Sequence, residues 1–149
     1  MTKIICLGGI TVDRKLTPTH QLQLGTSNPV AALSTFGGVA HNVAKNLALL
    51  TNNIQLCSVV GDDPEGIDIQ KHLKSLGIAI KNILTIPQQK TAHYDVLLDH
   101  EGELYIALAD MEILSIYLFR NLLNPGKNGL MGILYFWIPI YQSLLLSMP

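Results

Sequence analysis

The stretch Phe36-Gly37-Gly38-Val39-Ala40-His41-Asn42-Val43-Ala44-Lys45-Asn46-Leu47 sets a pair of glycines directly before a helical pattern. Glycines let a backbone come close to a neighbouring molecule, and a helix start offers N–H groups that have no intrahelical partner. Together they make a corner suited to a polar ligand, with Asn42 as an early polar side chain. Apolar residues recur at Ala40, Val43, Ala44, Leu47 and Leu50, the spacing of one helical face, and Asn42 falls on another. A glycine turn capping an ordinary buried helix explains the motif equally well, so the neighbouring segments have to decide.

Upstream, Ile4-Ile5-Cys6-Leu7 is a short apolar run closed by Gly8-Gly9, the pattern of a strand buried on both faces. The chain then reaches Asp13. Residues 14–36 are polar and turn-rich; within them residues 21–24 read as a short strand and Gly25-Thr26-Ser27-Asn28-Pro29 as a loop. Downstream, residues 54–60 read as a second buried strand ending at Gly61. Asp62-Asp63-Pro64-Glu65 then opens a helix, with an acidic cap, proline in the first turn and negative charge where the helix dipole favours it. That helix runs through Ile69, Leu73 and Leu76 to a glycine stop at Gly77. Strand, helix, strand, helix is the order of an α/β domain with a parallel sheet. Residues 91–98 and 103–109, joined by Asp99-His100-Glu101-Gly102, break that order and read as an antiparallel hairpin that projects from the body or extends its edge.

At 149 residues the chain has room for one domain with a real core. Charged residues are 14% against hydrophobic residues at 48%, an apolar balance. A net charge of −1 gives no electrostatic reason to expect nucleic acid or an anionic membrane as partner. Cys6 and Cys57 sit in apolar runs away from any metal-ligand spacing and read as buried free thiols. With no secretory pattern at the start, a reducing cytoplasm is the expected compartment. Residues 128–149 carry no charge and are largely apolar, but Pro139, Gln142 and Ser143 interrupt them. A buried or non-native end is expected there over a membrane span.

The strand leading to Asp13, the Gly37-Gly38-x-x-x-Asn42-x-Ala44 corner, Val60-Gly61-Asp62-Asp63 and the hairpin occur in an order that resembles the first half of a ribokinase-like (PfkB-type) carbohydrate and nucleoside kinase. The Gly25-to-Pro29 loop, the Gly37-to-Leu50 stretch and the segment from Asp99 to Met111 are most similar to members acting on pseudouridine. The resemblance implies a partial α/β sandwich with a small β lid over residues 91–109, within a kinase portion at 1–125 followed by an apolar tail at 126–149. It implies a sugar or nucleoside bound between body and lid. Asp13 would accept ribose hydroxyls, Gly37 and Gly38 would admit the sugar to the backbone, Asn42 would hold another hydroxyl, and Ser27 and Asn28 would face the base. For Ser27 and Asn28 a simple turn before Pro29 serves equally well.

His41 stands where many such kinases carry arginine, Val30 where glycine is common, and Thr51 where glycine often follows the helix. His41, His72 and His20 are expected on the surface, outside any metal cluster. The Gly-Ala-Gly-Asp motif, whose glycine-helix corner stabilises the transferring phosphate and whose aspartate acts as base, does not occur. ATP and Mg²⁺ are therefore expected to serve a complete enzyme and to bind this chain poorly. A homodimer through the lid hairpin is the expected assembly, and a catalytically silent nucleoside binder or another ribose, adenosine or ketohexose kinase are the alternatives.

Overall fold

The computed structural model describes residues 4–115, and the apolar tail lies outside them. Among them run, in order, β1 (Ile4–Leu7), β2 (Thr11–Pro18), β3 (Val30–Gly37), α1 (Val39–Ala48), β4 (Ile54–Gly61), α2 (Pro64–Ser75), β5 (Ala79–Ile86), β6 (His93–Leu98) and β7 (Leu104–Asp110). They build two sheets. One is parallel with order β1-β4-β5, and the other has order β3-β2-β6-β7.

The parallel sheet is the body. Every residue of β4 is buried, as expected for a central strand covered on both faces. Its Ile54, Leu56 and Val60 pack with Ala40 and Ala44 of α1 and Ile69 and Leu73 of α2, so both helices share that side. Cys57 and Val59 face the other way, onto Ile5, Leu7, Ala92 and Ile113. Both cysteines are buried and neither is in a disulfide, as their apolar settings predict. Among the described residues no helix is long and apolar enough to cross a membrane.

The two helix boundaries follow local rules. Asp63 caps α2 by accepting from Gly66 N at 2.8 Å, with Pro64 in the first turn. Past the end of α2, Gly77 takes φ +71, a left-handed stop that suits glycine. In α1 the outcome departs from the periodicity. Leu50 is 82% exposed because the helix ends at Ala48, and His41, expected on the surface, is buried.

The second sheet is where sequence and structure part most. Residues 14–36 are not mainly turns: β2 and β3 form a long antiparallel hairpin paired from Thr11↔Gly37 to Pro18↔Val30, and residues 21–24 lie in its connecting loop rather than in a strand. β3 is an edge strand with its first six residues exposed, so it has no apolar alternation to reveal it. β2 is flanked on its other side by β6 in a parallel pairing. The expected hairpin is present as β6 and β7, turned by Asp99, whose carboxylate accepts from Glu101 N and Glu103 N, both at 2.9 Å. It is half of a second, four-stranded sheet and does not extend the edge of the parallel one. β5, with its mixed exposure, has no counterpart among the expected elements.

Candidate functional site

The glycine corner lies where the two sheets meet. The β2–β3 register sets Thr11 opposite Gly37 and Asp13 opposite Thr35, and the chain turns at Gly38 straight into α1. Thr11 Oγ1 donates to Asp13 Oδ1 at 2.6 Å, which fixes the carboxylate. The space where a Gly37 β-carbon would stand is occupied by the Asp13 carboxylate. Gly37 therefore makes room for Asp13, where the sequence suggests backbone approach to a ligand.

Gly38 answers a different demand. Its φ is +91, and a β-carbon there would come within 2.5 Å of the Gly9 carbonyl oxygen and 2.9 Å of Ile10 Cα. The corner depends on close passage of two backbones. Gly38 caps α1 without a side-chain bond, and the first turn contains no acidic residue, so the helix start keeps its partial positive charge. Asn42 N donates to Gly38 O at 2.9 Å, which ties the helix to the corner, and the Asn42 side chain is exposed. Asp13, Gly37, Gly38 and Asn42 thus share one corner that offers carboxylate acceptors, an amide and a bare helix start.

Ser27 and Asn28 lie elsewhere. They belong to the loop beyond Pro18 and Val30, and Pro18 is five residues along β2 from Asp13, roughly 17 Å at extended-strand rise. Asn28 Oδ1 accepts from Gln23 N at 2.8 Å, and its Nδ2 donates to Gln23 O at 2.8 Å and Thr26 O at 3.1 Å. Its amide thus holds the turn, while Ser27 is exposed beside it.

His41 and His72 add what the sequence does not announce. His41 Nε2 lies 3.2 Å from His72 Nε2, and its Nδ1 lies 3.2 Å from Asn42 Oδ1. Phe36 leans on His72 with ring centroids 4.9 Å apart. Burial lowers the His41 pKa most, with His72 and Lys45 adding to the fall, while the Asn42 bond and Asp13 oppose it. Burial and then Lys45 lower that of His72. Among the described residues no group of three or more His, Cys, Asp or Glu side chains could hold a metal ion.

On the opposite face of the second sheet lies a charged cleft of about 330 Å³. The strand register sets Asp13 and Tyr94 on one face and Arg14, His93 and Asp95 on the other. Arg14 bridges Glu65 of α2 and His93, both at 3.2 Å, and so fastens this sheet to the body. A long-range pair of this kind leaves no local sequence signal.

Residues 1–125 match the family model for pfkB family carbohydrate kinases. Among curated proteins the chain is 34% identical to the pseudouridine kinase of Escherichia coli, covering 83% of this chain and 40% of that one. It is 29% identical to the guanosine-inosine kinase of Exiguobacterium acetylicum, covering 81% and 41%. The chain thus spans about 40% of the length of these relatives. Among solved structures, a carbohydrate kinase from Agrobacterium tumefaciens superposes with a TM-score of 0.64 at 30% identity, over 76% of this chain and 36% of that one. The nucleoside kinase of Methanocaldococcus jannaschii, a member of the ribokinase family, gives 0.66 at 26% identity, over 74% and 37%. The glycine corner, the parallel body and the second sheet are thus those of a ribokinase-like fold, and the chain belongs to the pfkB family of carbohydrate kinases.

Proposed function

We propose that this chain is the nucleoside-binding part of a pseudouridine kinase, which moves the γ-phosphoryl group of ATP to the 5′-hydroxyl of pseudouridine. The observation that carries the reading is the Asp13 carboxylate, seated against Gly37 and fixed by Thr11, beside the helix start that bears Asn42. A carboxylate takes two hydroxyl donors at once, and such charge-assisted bonds exceed neutral ones. Asn42 adds an amide that can donate to or accept from the same sugar. The pseudouridine kinase at 34% identity supports the substrate.

Replacing Asp13 by alanine is expected to weaken pseudouridine binding by about 1.5–3 kcal/mol, the range for hydrogen bonds to a charged group. Isothermal titration of the full chain without ATP measures it. Equal affinity in parent and Asp13→Ala refutes the assignment.

ATP and Mg²⁺ would supply the phosphoryl group and neutralise its charge. Residues 1–149 alone are expected to give no pseudouridine 5′-phosphate with ATP and Mg²⁺, because the base and the anion-stabilising corner of the reaction do not occur in this sequence. Robust product from the purified chain would refute this.

A second reading, a purine nucleoside or sugar as substrate, is favoured by the similarity to a guanosine-inosine kinase. Titration with guanosine, inosine and ribose beside pseudouridine separates the two. The compartment proposed is the cytoplasm. A homodimer through the lid hairpin is supported by exposed Leu104, Tyr105, Ile106 and Leu108 on its edge strand β7. A monomer in sedimentation velocity at high concentration would refute the dimer.

A further inference from the structure

His41 is 1% exposed, yet both of its ring nitrogens have partners. A neutral imidazole carries one N–H and one bare nitrogen, so two facing nitrogens bond only when one of them holds the proton. Asn42 Oδ1 can only accept, so His41 Nδ1, 3.2 Å away, must carry the N–H. His41 Nε2 is then bare and must accept from His72 Nε2–H, also 3.2 Å away. With the Asn42 oxygen turned to His41, this is the one arrangement that satisfies all three groups with both rings neutral. The reverse chain turns the amide over, with Asn42 Nδ2 donating to His41 and His41 donating to His72. The two chains differ in what Asn42 shows a ligand: an amino donor in the first, a carbonyl acceptor in the second.

We infer that His72 and His41 form a hydrogen-bond relay that positions the Asn42 amide as a donor, making the corner selective for a hydroxyl that gives its hydrogen to Asp13 and accepts from Asn42. The inference rests on the nucleoside-binding reading and adds positioning residues to it. Asp13 supplies acceptors, so a donor from Asn42 completes the pairing of a hydroxyl, whereas a second acceptor would repel its oxygen. The relay joins α2 to the binding helix, and Phe36 holds His72 from the β3 side.

The charged groups facing the pair are Lys45 on α1 and Asp13 on β2. Protonation of His41 puts a hydrogen on both facing nitrogens, so the contact between the rings is lost and Lys45 adds repulsion, whereas a proton added to His72 Nδ1 leaves His72 Nε2–H donating to His41. The folded-state pKa of each ring lies below the ordinary histidine value. The contribution to stability and binding is therefore complete above that value, and it is lost as pH falls through the lowered pKa of His41.

The test uses the full 149-residue chain. Two-bond nitrogen–proton spectra at about pH 7.5 are expected to show His41 protonated on Nδ1 and His72 on Nε2. His41 protonated on Nε2 overturns the inference, and because this needs no variant, a misfolded mutant cannot leave the question open. In calorimetric titration with pseudouridine, His72→Leu is expected to weaken binding about two- to tenfold, the scale of one neutral hydrogen bond. It is also expected to flatten the fall in affinity between about pH 7.5 and about pH 5.5. His72→Gln, whose amide can donate along the same line, is expected to recover most of both. Unmoved affinity and an unmoved pH profile in His72→Leu overturn the relay. A parent chain that binds no nucleoside refutes the binding reading instead, and the His41 tautomer then decides the relay by itself.

Discussion

Gly38→Ala is expected to cost about 2–4 kcal/mol of stability and to remove detectable nucleoside binding. Two penalties act together. The residue is held at φ +91, where an L side chain is strained, and its β-carbon would stand 2.5 Å from Gly9 O and 2.9 Å from Ile10 Cα. Both obstacles are backbone atoms, which cannot swing aside as the tip of a side chain can. Relief therefore requires the β1–β2 connection and the start of α1 to separate, and that separation pulls Asn42 away from Asp13. Gly77→Ala is the matched control, because its φ is +71 but nothing stands within 4 Å of the added carbon. It is expected to cost only about 1 kcal/mol, from backbone strain alone. Urea denaturation compares the two, and equal midpoints would show that the crowding at Gly38 is not what shapes the corner.

The body of the fold is legible because its signals are local or strongly periodic. β1 and β4 are apolar runs stopped by glycine, and the capping signature of Asp63 and Pro64 marks the start of α2. The second sheet is not legible in the same way. β2 runs as Thr-Val-Asp-Arg-Lys-Leu-Thr-Pro and shows no clean alternation, because its order comes from pairing with β3 on one side and β6 on the other. β3 is an edge strand whose exposed face takes small and polar residues freely, so the pattern that betrays a buried strand never forms. Contact between residues far apart in sequence sets this sheet, as in the Arg14–Glu65 bridge.

The candidate site divides along the same line. Gly37, Gly38 and Asn42 are adjacent in sequence, and their corner is readable from spacing. That Gly37 exists to admit the Asp13 carboxylate is not readable, since only the β2–β3 register brings the two together. Asn28 shows the opposite case: its amide is committed to Gln23 and Thr26, as the plain turn reading expects. His41 is the instructive failure. A histidine one residue from an exposed asparagine reads as surface, but the short α1 rotates it onto α2, where His72 gives its inner nitrogen a partner. Buried polar groups of this kind are specified by their partner, and a linear pattern carries no trace of that partner.

Asp63→Ala is expected to lower stability by about 2–4 kcal/mol at neutral pH, the largest effect of any single carboxylate among the described residues. One side chain does three things. Its Oδ1 caps α2 through Gly66 N at 2.8 Å and accepts from Thr91 Oγ1 at 2.6 Å, while Oδ2 accepts from Thr91 N at 2.7 Å. Thr91 is fully buried and in turn receives Gly61 N on its hydroxyl at 3.0 Å, so the end of β4, the start of α2 and the approach to β6 meet at this carboxylate. Losing a helix cap costs about 0.5–2 kcal/mol. Leaving the Thr91 N–H without its acceptor costs about 1–3 kcal/mol more. Partial burial acts to raise the Asp63 pKa, but the bonds from Thr91 and Gly66 outweigh it and hold the carboxyl below its ordinary value. The stabilisation is therefore complete above the ordinary carboxylate pKa and is lost as pH falls through the lowered one. The gap between parent and Asp63→Ala should accordingly be widest near neutrality and close in acid. Asp63→Asn should fall between them, since its carbonyl can still cap α2 while its amino group confronts Thr91 N–H, and its deficit should not close in the same way. Urea denaturation at a series of pH values reads all three proteins, and a deficit in Asp63→Ala that stays constant from neutral to acid would show that the charge of Asp63 does not hold this junction.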